Sequence, residues 1–169
     1  MNRIDLAKHF KELGFKIGAE VGVAEGTYSF ILCQEIPNLE LYCVDMWDTM
    51  TGVFHDHRYR QSERVRKLLS PYKATLIKKF SLDAIDDFGD NFFDFVYIDA
   101  GHRFDEVMQD IIKWTKKVRK GGIVSGHDYQ SPQISLAVDA YTKAHSFITH
   151  LTDEPEEYIS WFFNKHWNV

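Results

Sequence analysis

Cysteine is scarce in this sequence, and long hydrophobic runs are missing. The two cysteines, Cys33 and Cys43, have neither the spacing nor the neighbours of a zinc knuckle or a redox pair. We expect both to be buried as small hydrophobic residues. Because no apolar run approaches the roughly 20 residues of a membrane-spanning helix, and the N-terminus lacks the apolar middle of a secretion signal, the sequence predicts a soluble, cytoplasmic protein without a membrane partner.

Positive charge is not in excess either, since 25 acidic residues outnumber 20 basic ones and the net charge is −5. Proteins that hold nucleic acid by its phosphates normally present a basic face. We therefore expect a small-molecule or protein substrate and no nucleic-acid partner. The 169 residues, 44% hydrophobic and 27% charged, suit one globular domain over residues 1–169.

Short β-branched runs alternate with segments of helical period along most of the chain. The predicted strands are Ile17 to Val23, Leu39 to Asp45, Ala74 to Lys78, Phe92 to Asp99 and Gly122 to His127. The predicted helices are Tyr28 to Ile36, a segment from about Phe104 to Thr115, and Ile134 to Ala144. This alternation is typical of βαβ units and predicts a Rossmann-like, doubly wound α/β fold with a mostly parallel sheet.

The helix after Phe104 has a marked predicted end. The cationic segment 116–120 precedes Gly121 and Gly122, and cations followed by glycine are typical of a helix C-terminus. We expect the helix to stop at these glycines.

The C-terminal segment predicts an antiparallel hairpin of Phe147 to Leu151 and Tyr158 to Phe163, separated by polar residues. Trp161 and Phe163 alternate with Phe162, so one face of the second strand should be buried and the other exposed. An exposed aromatic face would suit a substrate wall or a homodimer contact. Ordinary core packing is favoured over both of these uses.

A glycine-containing turn, E-V-G-V-A-E-G-T over residues 20–27, joins the first strand to a helix. Gly22 and Gly26 lack a Cβ and Ala24 is nearly as permissive, so the backbone can turn tightly and approach a ligand. Asp45 ends the second strand 19 residues after Gly26, close to the ~20-residue spacing at which an acid accepts hydrogen bonds from ribose hydroxyls. These features predict a nucleoside ligand. The alternative is a plain strand-to-helix turn, with Asp45 capping the next element.

Acidic surroundings discriminate between nucleoside cofactors. Glu20 precedes the first glycine by two residues, and no Lys or Arg occurs from Val21 to Cys43 to neutralise a pyrophosphate. A sulfonium with an amino-acid tail suits such a loop better. The G-x-A-x-G spacing also differs from the dinucleotide pattern G-x-G-x-x-G. S-adenosylmethionine (SAM) is therefore favoured, and a nicotinamide-dependent oxidoreductase is the rival.

Four motifs, EVGVAEGTYS, LYCVDMWD, DFVYIDAGHRFDEVMQDIIKW and KGGIVSGHDY, resemble those of class I SAM-dependent methyltransferases over residues 17–145. The segments IDAGH and GGIVSGHDY resemble the branch of macrocin O-methyltransferase-like and cephalosporin-hydroxylase-like proteins, many of which act on small molecules. The resemblance implies a cofactor contact for each of ten residues. Glu20 and Gly22 would contact the methionine part, Asp45 the ribose, and Met46, Ser81 and Leu82 the adenine side, with Ala24, Gly26, Thr27 and Asp99 completing the set.

Acids and histidines follow the fourth and fifth predicted strands. Asp99 ends the fourth strand, and His127 with Asp128 ends the fifth, at the sheet edge where open α/β folds bind ligands. Asp99, His127 and Asp128 could bind Mg²⁺ and acidify a substrate hydroxyl. His102 could take the hydroxyl proton as general base, with Asp99 as its catalytic partner.

The alternative for this group is that Asp99 orders the cofactor amine, His102 caps the next helix and Asp128 caps a turn. Metal-dependent members of the resembling family commonly carry acids at the places of Asp99, His127, Asp128 and Gly101. This sequence has histidine at one of these places and glycine at another.

A basic insert lies between Asp48 and Pro71. Arg60, Arg64 and Lys67 share one helix face, which would serve as a lid for an anionic substrate or as a solvated surface. His55 and His57 are weak candidates for metal ligands, because no cysteine lies near them.

Together these features predict a SAM-dependent methyltransferase that methylates an oxygen of a small hydroxylated molecule with the help of Mg²⁺. A SAM-binding module without catalysis is the alternative from another class of function.

Overall fold

The computed structural model describes residues 1–47, 53–153 and 159–167, and of residues 53–60 it describes the backbone only. In these described residues, seven strands form one sheet. The strands are β1 (Ile17–Val21), β2 (Glu40–Asp45), β3 (Lys73–Lys78), β4 (Phe93–Ile98), β5 (Val118–Gly126), β6 (His150–Leu151) and β7 (Trp161–Asn164). Their order is β3-β2-β1-β4-β5-β7-β6. Strands β1 to β5 are parallel, whereas β7 runs antiparallel to both β5 and β6. The predicted α/β class and the antiparallel C-terminal hairpin are confirmed.

Helices cover both faces of this sheet. The helices of the described chain are α1 (Arg3–Glu12), α2 (Thr27–Glu35), α3 (Val53–Leu69), α4 (Ser81–Ala84), α5 (Phe104–Lys117) and α6 (Pro132–Ala144), with a 3₁₀ turn at Ile85–Asp87. Buried residues of α1, α2 and α3 form one hydrophobic cluster, and those of α4, α5 and α6 form the other. From Phe95 to Ile98 the side chains of β4 alternate between the two clusters, as the two-residue period of a strand requires. None of the described helices has the length and apolar character needed to span a bilayer.

Helix α1 was not predicted. Asn2 and Asp5 form a reciprocal capping box, in which each side chain accepts a hydrogen bond from the backbone amide of the other. The buried side chains of Leu6, Ala7 and Phe10 pack on the sheet, and the ring of Phe10 lies 4.3 Å from that of Phe95. An amphipathic pattern of this kind was the signal that could have located the helix.

The predicted glycine end of α5 is wrong. The helix ends at Lys117, β5 begins at the next residue, and Gly121 and Gly122 lie within that strand. The ammonium group of Lys165 donates to the backbone carbonyls of Thr115 and Val118 at 3.0 and 2.7 Å. Because this buried lysine satisfies carbonyls at the helix end, no glycine cap is required.

The predicted exposed aromatic face of the terminal hairpin is also wrong. Trp161, Phe162 and Phe163 are all buried, because β7 lies between β5 and β6 with packing on both faces. The ring of His150 lies 5.0 Å from that of Phe162. A substrate wall or dimer contact on that face therefore loses its basis, and a homodimer stays a prediction.

The remaining predicted features divide between described and undescribed residues. Cys33 and Cys43 are buried and unbridged, as expected. The basic insert forms α3, which confirms its helical character. Asp48 and Tyr158 lie outside the described residues, as do the side chains of His55, His57 and Arg60.

Candidate cofactor and active site

The turn between β1 and α2 has the glycine geometry that was predicted. The glycines are required there by contacts with other parts of the protein, whereas a ligand contact was predicted as the reason for them. Gly22 and Gly26 have φ angles of 88° and 77°, a region that favours glycine. A Cβ on Gly22 would lie 1.9 Å from the carbonyl oxygen of Asp99, and a Cβ on Gly26 would lie 3.1 Å from Val65 of α3. The first glycine thus permits close contact between the ends of β1 and β4, and the second faces α3.

The Asp45 carboxylate converges on this turn. Its Oδ2 accepts hydrogen bonds from the backbone amides of Val23 and Ala24, each at 2.8 Å, and its Oδ1 accepts one from the amide of Trp47 at 2.9 Å. The indole nitrogen of Trp47 donates to the carbonyl of Ala24. The spacing of acid and glycines therefore reflects a direct contact within the chain.

A cavity of about 640 Å³ opens at the carboxyl edge of the sheet, beside β1, β2 and β4. Seven of the predicted cofactor residues line it: Gly22, Ala24, Asp45, Met46, Ser81, Leu82 and Asp99. We call it the main cavity. Its position outside the carboxyl ends of the strands is where open α/β sheets bind their ligands, and its volume lies within the ~300–1,000 Å³ range of small-molecule sites.

A smaller cavity of about 310 Å³ adjoins the main cavity and shares Gly22, Ala24 and Asp99 with it. The predicted residues Glu20 and Thr27 line it, together with Arg3 of α1. We call it the charged cavity, because three acids (Glu20, Glu25 and Asp99) and one guanidinium border it. Arg3 was not predicted, since its place in the site depends on how α1 packs.

Glu20 is the most buried acid of the charged cavity. Its carboxylate and the hydroxyl of Ser29 form a hydrogen bond within the protein. Burial raises the pKa of Glu20 to about 8, opposed in part by this hydrogen bond. The Arg3 guanidinium lies 4.9 Å from the ring centre of Tyr28. Acids and a guanidinium in one small space complement a zwitterion, such as an amino acid.

The residues predicted for catalysis and metal binding lie close together and are called the catalytic cluster: Asp99, His102, His127 and Asp128. Nδ1 of His127 lies 3.6 Å from Oδ2 of Asp99 and 3.2 Å from Oδ1 of Asp128. Nε2 of His102 lies 3.2 Å from Oδ2 of Asp128. Asp128 has a φ of 57°. Burial raises the pKa of Asp99, and the adjacent His127 opposes that rise.

Three members of this cluster have the spacing of a cation site. Ligand atoms of Asp99, His102 and Asp128 all lie within 4.8 Å of one another. The histidine of this set is the exposed His102, whereas the buried His127 contacts both carboxylates. The predicted ligand role of His127 stays a prediction.

The alternative in which His102 caps α5 is wrong, because the N-cap residue of that helix is Arg103. The carboxylate of Glu106 instead accepts a hydrogen bond from the backbone amide of Arg103 at the start of that helix. His102 thus remains available for the cluster with Asp128.

Ser81, which also lines the main cavity, belongs to a hydrogen-bonded group that was not predicted. The indole nitrogen of Trp114 donates to the Ser81 hydroxyl at 2.9 Å, and that hydroxyl contacts the carboxylate of Asp110. Asp110 is buried, lines the main cavity, and has a pKa raised by burial to about 6. An acid on the apolar face of α5, three residues after Val107 and four before Trp114, was the signal that could have found it.

Comparison with known families places the site in context. The sequence model of a family described as a methyltransferase domain matches residues 19–129. An uncharacterized protein of Sinorhizobium fredii strain NGR234, y4gI, is 25% identical over 128 residues, which are 72% of this chain. The chain spans only 14% of the length of that relative.

Solved structures share the fold at low sequence identity. An O-methyltransferase from Bacillus cereus in complex with SAH has a TM-score of 0.70 at 12% identity, over 96% of this chain and 80% of its own. A candidate caffeoyl-CoA O-methyltransferase from Staphylococcus aureus has a TM-score of 0.71 at 14% identity, over 95% and 82%. A candidate rRNA methylase from Clostridium thermocellum has a TM-score of 0.72 at 16% identity, over 100% and 98%.

The predicted family is thereby confirmed, while the macrocin-like and cephalosporin-hydroxylase-like branch stays a prediction. With the glycine turn, Asp45 and the motif at Asp99 all inside the matched segment, this chain belongs to the class I SAM-dependent methyltransferases.

Proposed function

We propose that this domain methylates a hydroxyl oxygen of a small molecule, with SAM bound across the main and charged cavities. The observation that carries the proposal is the position of Asp99. Asp99 lines both cavities, and its carboxylate lies 3.6 Å from Nδ1 of His127 in the catalytic cluster. The cofactor site and the cluster that would handle a hydroxyl therefore meet at one side chain.

The cofactor's two halves match the two cavities in chemistry. Asp45 would accept hydrogen bonds from the ribose in the main cavity. In the charged cavity, Glu20 and Asp99 would face the ammonium group of the methionine part, and Arg3 would face its carboxylate. The same acids suit a positively charged sulfonium.

Bound SAM would supply an activated methyl group, and the chain's own residues would align the acceptor and remove its proton. Methyl transfer breaks a carbon–sulfur bond, forms a carbon–oxygen bond and leaves S-adenosylhomocysteine (SAH). The ring nitrogen of His102 that does not face Asp128 would accept the hydroxyl proton, and the Asp128 carboxylate, 3.2 Å from Nε2, would stabilise the resulting imidazolium. Alignment alone supplies much of the rate in such displacements.

A divalent cation fits the same cluster. Two carboxylates and an imidazole, with ligand atoms within 4.8 Å of one another, form a donor set that Mg²⁺ or a similar ion accepts. Asp99, His102 and Asp128 would hold it, and it would lower the pKa of a substrate hydroxyl. Because a coordinated nitrogen cannot accept a proton, His102 then serves as ligand and no longer as base.

A small acceptor is favoured over nucleic acid by the charge of the protein. The net charge is −5. The acceptor would meet the catalytic cluster, and three of its four residues, Asp99, His127 and Asp128, are partly or fully buried. Such a narrow polar site suits a hydroxyl group that can enter it.

Calorimetry with SAH, followed by mass spectrometry of hydroxylated acceptors incubated with methyl-labelled SAM, tests the proposal. We expect SAH binding and a mass increase of one methyl group on at least one acceptor. His102→Asn should reduce turnover without changing SAH affinity, and His166→Asn, at an exposed site away from the cluster, is the matched control. Absence of SAH binding would contradict the proposal, while binding without turnover would support the SAM-binding module.

A further inference from the structure

We propose that Asp110 recognises the exocyclic amine of the cofactor's adenine and selects adenine over its 6-oxo counterpart. The proposal rests on the proposed function, because it assumes an adenosyl ligand in the main cavity. No motif at the ends of β1 and β2 points to this residue, since it lies in the middle of α5.

Asp110 reaches the main cavity from α5. It lines that cavity beside Ser81 and Leu82, the residues that follow β3 and were expected on the adenine side. Its side chain is 4% exposed. A carboxylate so deeply buried requires partners, and the main cavity is where a ligand would supply one.

The hydrogen-bond directions around Ser81 commit its only proton to Asp110. The indole N–H of Trp114 can only donate, so the Ser81 oxygen accepts from it. The single hydroxyl proton of Ser81 is then directed to the carboxylate of Asp110. Ser81 orients Asp110, and Asp110 presents acceptor capacity to the cavity.

This arrangement distinguishes purine bases by chemistry. An ionised carboxylate only accepts hydrogen bonds, and the 6-amino group of adenine donates. Hypoxanthine carries a 6-oxo group, which only accepts and would face the carboxylate with like partial charge. Sites built to hydrogen-bond an N–H group discriminate strongly against analogues that lack it.

Calorimetry at pH 7.5 with SAH and with its deaminated analogue, S-inosylhomocysteine, tests the assignment on the intact chain. We expect the wild-type protein to bind SAH about tenfold or more tightly than the analogue. Asp110→Asn keeps an oxygen for the Ser81 proton and adds an N–H donor that can meet a 6-oxo group. The preference should therefore fall towards one, mainly through gained affinity for the analogue.

Asp105→Asn, at an exposed position of the same helix, should keep the wild-type preference and serves as the matched control. Thermal unfolding of the Asn variant checks that it is folded, and a gain of affinity for the analogue cannot result from misfolding. A wild-type protein that binds SAH without preference, or an Asp110→Asn variant that keeps the preference, would overturn this assignment alone. Failure of the wild-type protein to bind either ligand would overturn the proposed function and this assignment with it.

Discussion

Oδ2 of Asp45 accepts a hydrogen bond of 2.8 Å from the backbone amide of Ala24. The same oxygen accepts a second one from Val23, so one carboxylate braces the turn between β1 and α2 and also borders the main cavity. Cofactor affinity and the conformation of the turn are therefore coupled through a single side chain.

Asp45→Ala should weaken SAH binding by about tenfold or more, because it removes both the ribose acceptor and the support of the turn. The melting temperature should also fall, since amides of Val23, Ala24 and Trp47 lose their acceptor. Calorimetry and thermal unfolding measure the two effects. Asp86→Ala, at an exposed position, is the control, and unchanged SAH affinity in Asp45→Ala would remove the ribose assignment.

Gly22→Ala should destabilise the protein by about 3 kcal/mol or more, from overpacking and from a side chain at positive φ. The new Cβ would lie 1.9 Å from the backbone carbonyl oxygen of Asp99, the residue after β4. The backbone cannot move aside as a flexible side chain can. Urea unfolding measures the change. Gly89→Ala is the matched control, because nothing lies within 4 Å of the corresponding Cβ, and equal effects of the two substitutions would contradict the packing argument.

Glu20 should make stability depend on pH. Its pKa is raised from 4.5 to about 8 in the folded protein by burial, so the folded state holds a proton that the unfolded state releases. Stability should therefore decline as pH rises from about 4.5 to about 8. The free energy of unfolding, measured with urea at pH 5.5 and 7.5, should fall more for the wild-type protein than for Glu20→Gln. Equal changes in the two proteins would refute this linkage.

Chelation separates the two roles assigned to His102. If a cation is held by Asp99, His102 and Asp128, protein treated with EDTA should lose turnover and regain it with Mg²⁺. SAH affinity, measured in parallel, should be retained, because Asp45, Glu20 and Arg3 lie outside the cluster and Asp99 is the one cofactor residue it shares. Full turnover after chelation would eliminate the cation and leave His102 as the base.

Local patterns were sufficient for the elements that carry the cofactor site. Strands β1 to β5 and the main helices follow from side-chain periodicity, which depends on residues a few positions apart. The glycine turn and Asp45 were found from spacing, because consecutive βαβ strands in a parallel sheet bring their carboxyl ends to one edge. The reason for Gly22 was only partly anticipated, since the nearest atoms to its missing Cβ belong to Asp99 and Ala100.

Contacts between distant segments were beyond such patterns. Lys165 ends α5 by donating to Val118, 47 residues away, and Asp110 meets Ser81 across 29 residues. Both contacts depend on how helices and strands pack after they form. The burial of Phe162 likewise depends on α1 covering one face of β7, while α6 covers the face of Trp161 and Phe163. Alternation within one strand cannot indicate this packing.

The sequence by itself determined the α/β class, the family, and the identity of Gly22, Asp45 and Asp99 at one sheet edge, because short-range backbone preferences and chain order decide these. Tertiary packing decided that Arg3 enters the charged cavity, that Asp110 faces the main cavity, and that His102 meets Asp128. Each of these side chains reaches the site from a different element, and the angles at which helices pack on the sheet determine where its charge lies.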